Sequence, residues 1–168
     1  NPWAPFSATA EFEYPVLMST VASAVASIVP ESVANRSLLY FDMNLVLVAI
    51  LWMITVVCTV RMAGRRPWDA AMVAIAPGII LAGSINWDMW AVALLAAGML
   101  AFARKHTVWA GVLIGLGAAM KIYPFFILGA ILVLAIRTGR LRTFWVTGGT
   151  AAATWVLVNL PYALAFPK

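Results

Sequence analysis

Residues 38–60 read LLYFDMNLVLVAILWMITVVCTV, an apolar run with a single charge, Asp42, near its start. A helix of this length reaches across the roughly 30 Å hydrocarbon core of a bilayer. The rest of the chain has the same character. Of 168 residues, 64% are apolar and 10% are charged, and the mean hydropathy is +0.97. Soluble chains carry roughly 45–50% apolar and about 25% charged residues. A water-soluble fold of this size has too little polar surface to cover so much apolar mass. Composition therefore excludes a soluble enzyme, a disordered tail and a disulfide scaffold. It leaves an all-α polytopic membrane protein.

Outward from 38–60, further apolar runs cover 68–84, with Pro77 as a kink, then 88–103, 107–120, 125–136 and 143–160, the last ending at Asn159-Leu160-Pro161. Upstream, 16–29 is apolar but short and dotted with Ser19, Ser23 and Ser27, and Pro30 follows it. As a helix it covers about 21 Å, too little to cross. Residues 1–15 hold Pro2, Pro5, Pro15 and four aromatics, which suits a loop at the interface. The expected organisation is an outer loop over 1–15, a juxtamembrane helix over 16–29 and a six-span domain over 30–168. The chain opens on Asn1-Pro2-Trp3 and reads as a piece of a longer polypeptide.

The net charge is +5. Its cations lie in short clusters between apolar runs rather than along one face, which argues against nucleic acid. Arg61, Arg65 and Arg66 form one cluster, Arg104, Lys105 and His106 a second, and Arg137, Arg140 and Arg142 a third. The positive-inside rule places all three in the cytoplasm. That works only if 107–120 and 125–136 cross separately, with the turn at Lys121 outside. Glu11, Glu13, Glu31, Asp42 and Asp88 then fall on the outer side, with Arg36, Lys121 and Lys168.

Topology explains the inner cations but not this outer mixture. Lys121 sits between two short apolar runs, so a recess facing a partner is one reading and snorkelling to the interface is the other. Asn86-Trp87-Asp88 is a polar turn opening a helix, suited to capping or to binding. Glu13 and Tyr14 precede Pro15 at the start of the short helix. Arg36 opens the 38–60 span. Cys58, the single cysteine, lies within an apolar run and reads as inert packing. No paired His/Cys set, phosphate loop or nucleophile elbow occurs, so neither a metal nor a cofactor is expected. The glycines at 111, 115 and 117 lie in an apolar run and read as close helix packing.

Glu13-Tyr14-Pro15-Val16-Leu17, Asn86-Trp87-Asp88 and the string from Ala110 through Gly111, Gly115, Gly117 and Lys121 to Tyr123-Pro124 resemble the GT-C superfamily of membrane glycosyltransferases. The branch most similar is the actinobacterial polyprenol-phosphate-mannose-dependent mannosyltransferases, glycosyltransferase family 87. Val16 stands where that pattern has a second proline. The resemblance implies a partial GT-C-like fold and transfer of a sugar, mannose or another pentose or hexose, from a polyprenyl-phosphate donor. The acceptor would be an envelope glycolipid or polysaccharide outside the plasma membrane.

In that reading Lys121, Arg36 and Tyr123 bind the donor phosphate. Glu13, Tyr14, Asn86 and Asp88 bind sugar or acceptor. Glu13 and Asp88 are the candidate catalytic acids here, while the family's catalytic acid is expected upstream of Tyr14-Pro15. Partners would be membrane lipids and the remainder of the polypeptide or other membrane subunits. Two competing readings are a transporter or flippase of an anionic lipid or solute, and a non-catalytic assembly subunit.

Overall fold

A computed structural model of the chain describes residues 14–165 except Ser84. The expected outer loop up to residue 13, with Glu11 and Glu13, and the terminal Lys168 lie outside the described residues. What is described is helical: α1 (Val16–Ile28), α2 (Arg36–Met62), α3 (Ala71–Ala74), α4 (Pro77–Ala82), α5 (Asp88–Ala103), α6 (Thr107–Met120), α7 (Ile127–Arg137) and α8 (Leu141–Ala165). Short 3₁₀ turns over Pro67–Ala70 and Tyr123–Phe126 lead into α3 and α7.

Helix α6 is the hub, packed between α5 and α8. Its glycines make this possible. A methyl on Gly111 would collide with Thr150 Oγ1 and the Thr147 carbonyl, and one on Gly115 would lie 2.8 Å from Thr154 Cβ. The small-x-x-x-small face thus lets the α6 and α8 backbones approach closely, as helices in lipid commonly do. On the α5 side, Gly98 makes room for Ile114, and a Cβ there would sit 3.0 Å from the isoleucine. Ile114 is fully buried with Ile131 and Ala151. Helix α2 lies against α5 through Leu51, Met89 and Ala93. Helix α1 docks beside the α5–α6 pair, with Met18 fully buried against Ala91 and Met120.

Helix α2 alone, among the described residues, is long and apolar enough to cross a membrane by length and composition. Only 17% of its apolar window is buried. Leu38, Phe41, Leu45, Val46, Ile50, Met53 and Val57 face outward, an apolar surface larger than a water-soluble monomer tolerates. Helices α5, α6 and α7 are apolar but span 16, 14 and 11 residues. Cys58 is buried, in keeping with packing.

Two spans differ from expectation. The run 68–84 is not one kinked helix but a broken segment. Proline disfavours helical backbone at the preceding residue, and Ala76 is extended at φ −60°, ψ 117°. Pro77 therefore opens a new helix, α4, instead of bending an old one. The first half is pinned to α2, where Trp52 Nε1 donates to the Val73 carbonyl at 3.3 Å. At the other end of the chain, α8 does not stop at Pro161 but runs through it to Ala165. Asn159 Nδ2 donates to the Trp155 carbonyl at 2.8 Å just before that proline.

Candidate functional site

Helices α5 and α6 run antiparallel, so the first residue of α5 meets the last turn of α6. Asp88 opens α5. Its backbone N–H donates to Asn86 Oδ1 at 2.9 Å. This Asx turn fixes the entry to the helix with the Asn86 side chain and leaves the Asp88 carboxylate uncommitted to capping. Lys121 caps the C-terminus of α6 with extended backbone, φ −153° and ψ 141°, and its N–H donates to the Gly117 carbonyl. Each charge also suits its own helix end, the acid at the positive end and the cation at the negative end.

The two side chains form an ion pair, Lys121 Nζ with Asp88 Oδ1. Their exposures are 32% and 41%, which places the pair in a recess, neither fully wet nor buried. Lys121 is thus not a lone snorkelling cation. Tyr123, two residues on, reaches the same spot, its hydroxyl donating to the Asp88 carbonyl at 3.5 Å. Burial, and then the nearby Asp88 charge, push its phenol up to about 12. The floor is the apolar cluster of Met18, Ala91 and Met120, with Leu17, Trp87 and Trp90 around it. Helix α1 therefore carries the chain that follows Glu13 to this site.

The other candidates lie elsewhere. Arg36 binds the Ala26 carbonyl at 3.3 Å and Glu31 at 3.7 Å, which tethers α2 to the end of α1. Neither partner belongs to the Asp88–Lys121 pair. Tyr14 is partly exposed at the entry to α1, and its carbonyl accepts from Ser19 Oγ at 3.2 Å. Glu13 is outside the described residues. Among those described, no cluster of three or more His, Cys, Asp or Glu is arranged to hold a metal.

Two residues that sequence reasoning passed over join the site. On the α2 side of the Asn86-Trp87 turn lies a cavity of about 180 Å³ lined by Tyr40, Phe41, Asn44, Asn86 and Trp87 among others. The Tyr40 and Trp87 rings are tilted against each other, 6.4 Å apart. Asn44 Nδ2 donates to the Tyr40 carbonyl at 2.8 Å, while its buried Oδ1 accepts no hydrogen bond among the described residues. A polar amide one helical turn below a tyrosine, inside an apolar span, was the available signal. The turn Asn86-Trp87-Asp88 thus faces two ways: Asn86 and Trp87 line this cavity, and Asp88 meets Lys121.

Set beside known proteins, residues 12–168 match the family model for glycosyltransferase family 87. The chain belongs to glycosyltransferase family 87. No curated protein and no solved structure matches it. Membership in this family implies a membrane glycosyltransferase, a class whose substrates are a sugar donor and an acceptor. It also gives the outward apolar face of α2 a membrane as its setting.

Proposed function

We propose that the recess at Asp88, Lys121 and Tyr123 holds the phosphate and sugar of a polyprenyl-phosphate donor, and that the sugar, mannose or another pentose or hexose, passes to an envelope glycolipid or polysaccharide. The proposed topology has six crossings: α2, the broken 67–82 segment, α5, α6, α7 and α8. In this topology α1 lies along the outer face of the plasma membrane, and the arginine-rich turns face the cytoplasm. The recess then opens on the extracytoplasmic side, where Arg36 also begins α2.

The Asp88–Lys121 ion pair carries this reading. A half-buried cation held against a carboxylate is a ready exchange site for an anion. When the donor phosphate takes Lys121, Asp88 is released. The acceptor hydroxyl then attacks the anomeric carbon directly. Its oxygen forms the new glycosidic bond as the bond from that carbon to the phosphate oxygen breaks. The acceptor proton passes to a carboxylate, Asp88 or Glu13. The polyprenyl phosphate leaves with an added negative charge, which Lys121 meets as an ion pair and the Tyr123 hydroxyl as a hydrogen-bond donor. That phenol is neutral throughout the physiological range, as its ordinary pKa of 10.0 already ensures, and burial and Asp88 push it further up. Single inversion follows from single displacement. Asn86, Asn44 and the Tyr40–Trp87 rings offer the amides and aromatic faces that sugar hydroxyls and sugar C–H groups favour.

The test is sugar transfer from a polyprenyl-phosphate mannose donor by the intact protein. Lys121→Ala is expected to lower the rate by roughly 100-fold or more, as loss of a charge-stabilising donor does, and Lys121→Arg to retain a larger share. Unchanged transfer by a folded Lys121→Ala variant would remove the recess from the reaction.

A further inference from the structure

The opposite end of the bundle carries a second, separate feature. Helices α5 and α7 end there in the same kind of turn. After α5, the His106 N–H donates to the Ala101 carbonyl at 2.9 Å and the Lys105 N–H to Phe102 at 2.9 Å. After α7, the Arg140 N–H donates to Ala135 at 2.8 Å and the Gly139 N–H to Ile136 at 3.2 Å. Both turns need a residue in the left-handed region, the Schellman geometry that glycine normally fills. Gly139 fills one at φ 66°, and Lys105 fills the other at φ 65°. Lysine there carries a steric cost that glycine does not. The positive-inside rule accounts for cations somewhere at this end, but not for one at the position where the backbone disfavours it.

Between the two turns lies a cavity of about 310 Å³, lined by Lys105, Arg140, Thr107, Thr138, Thr143 and Phe102 among others. No carboxylate lines it. Among the described residues, Arg104, Lys105, Arg137, Arg140 and Arg142 have no acidic partner, the ion pairs there being those of Arg36, Arg66 and Lys121. The N-termini of α6 and α8 also begin at this cavity, at Thr107 and Leu141, and their backbone N–H groups favour an anion. Phe102 and Leu134 connect the cavity to an apolar groove of about 270 Å³ that runs past Met62, Met99 and Ile131 to Ile127. From Leu134 to Ile127 the groove follows α7 for about 10 Å.

We propose that this cavity binds an anionic phospholipid of the adjoining leaflet. The headgroup phosphate sits between Lys105 and Arg140 with the Thr107 and Thr143 hydroxyls, the Thr138 hydroxyl already donating to the Leu134 carbonyl at 2.8 Å, and an acyl chain lies in the groove. A chamber that carries two cations and no carboxylate and opens into an apolar channel matches a phospholipid in both charge and shape, and basic pockets between membrane helices commonly take such headgroups. The occupant is distinct from the sugar donor, and the site stands whether or not the recess at Lys121 acts as proposed.

The experiment uses the intact protein in detergent, with lipid binding read by native mass spectrometry. The probes are a phosphatidylglycerol, a phosphatidylcholine of the same chains, and inorganic phosphate. Phosphatidylglycerol is expected to bind selectively, and Lys105→Gly and Arg140→Ala each to weaken it about fivefold, the effect of one lost cation near an anionic headgroup. Lys105→Gly removes the cation while easing the backbone, so misfolding does not account for a loss. Equal binding of the two lipids, inorganic phosphate competing as well as the lipid, or full affinity in Lys105→Gly would each overturn the proposal. So would occupation of the groove by another segment of the intact polypeptide.

Discussion

Lys105 and Lys121 flank the two ends of α6, a helix about 21 Å long, and the molecule treats them in opposite ways. Lys121 adopts relaxed, extended backbone and pairs with Asp88 in a recess. Lys105 holds a left-handed backbone, is exposed and meets no carboxylate among the described residues. The difference does not come from α6. It comes from the antiparallel α5, which begins with Asp88 at one end and gives way to Arg104 at the other. One neighbouring helix therefore sets Lys121 in a mixed-charge site and leaves Lys105 with no carboxylate beside it among the described residues.

The comparison breaks most severely if α6 loses its seat, because α6 carries both lysines' turns. Gly111→Leu forces a side chain into Thr150 and the Thr147 carbonyl. It is expected to lower stability by about 3 kcal/mol, the upper range for overpacking. Gly149, with open space around it, tolerates Ala within about 0.5 kcal/mol. Thermal unfolding in detergent measures both, and equal effects would mean that the α6–α8 approach is not tight.

A double-mutant cycle on Asp88→Ala and Lys121→Ala sharpens the contrast next. Both side chains are about one-third exposed or more, so solvent screens the pair. A coupling energy of roughly 1 kcal/mol is expected, against none for Lys105 paired in a cycle with Asp88. A coupling of zero at Lys121 would erase the distinction between the two ends.

The two matching turns provide a reciprocal pair. Lys105→Gly is expected to stabilise the protein by roughly 0.5 to 1 kcal/mol, and Gly139→Ala to destabilise it by about 1 kcal/mol. Both changes are read as shifts in unfolding temperature without added lipid. Shifts of the same sign would show that the turns are not equivalent.

The last test is a titration. Tyr123 is raised from 10.0 to about 12 by burial first and by Asp88 second. Its neutral form is favoured in the folded protein. The stability this contributes is complete below pH 10, and is lost as pH rises from about 10 to about 12. Phenolate absorbance, with Tyr14, Tyr40 and Tyr162 replaced by Phe, is expected to show the high pKa. Asp88→Asn is expected to lower it only in part, since burial remains. No change in Asp88→Asn would place Tyr123 away from the pair.

The sequence alone determined the apolar, helical character of the chain, because bilayer length and charge exclusion leave few alternatives. It also fixed the limits of α5 and α6, which polar turns close at both ends, and it singled out Asp88, Lys121 and Tyr123. Local sequence did not decide what prolines do. Pro77 breaks a helix and Pro161 rides inside one, and only the surrounding helices settle which. Nor did it show that Arg36 ties down α1, or that Tyr40 and Asn44 share a cavity with Trp87. Those outcomes belong to tertiary structure, since charges and rings far apart in the chain meet only once glycine-lined helices have packed closely enough to bring their ends together.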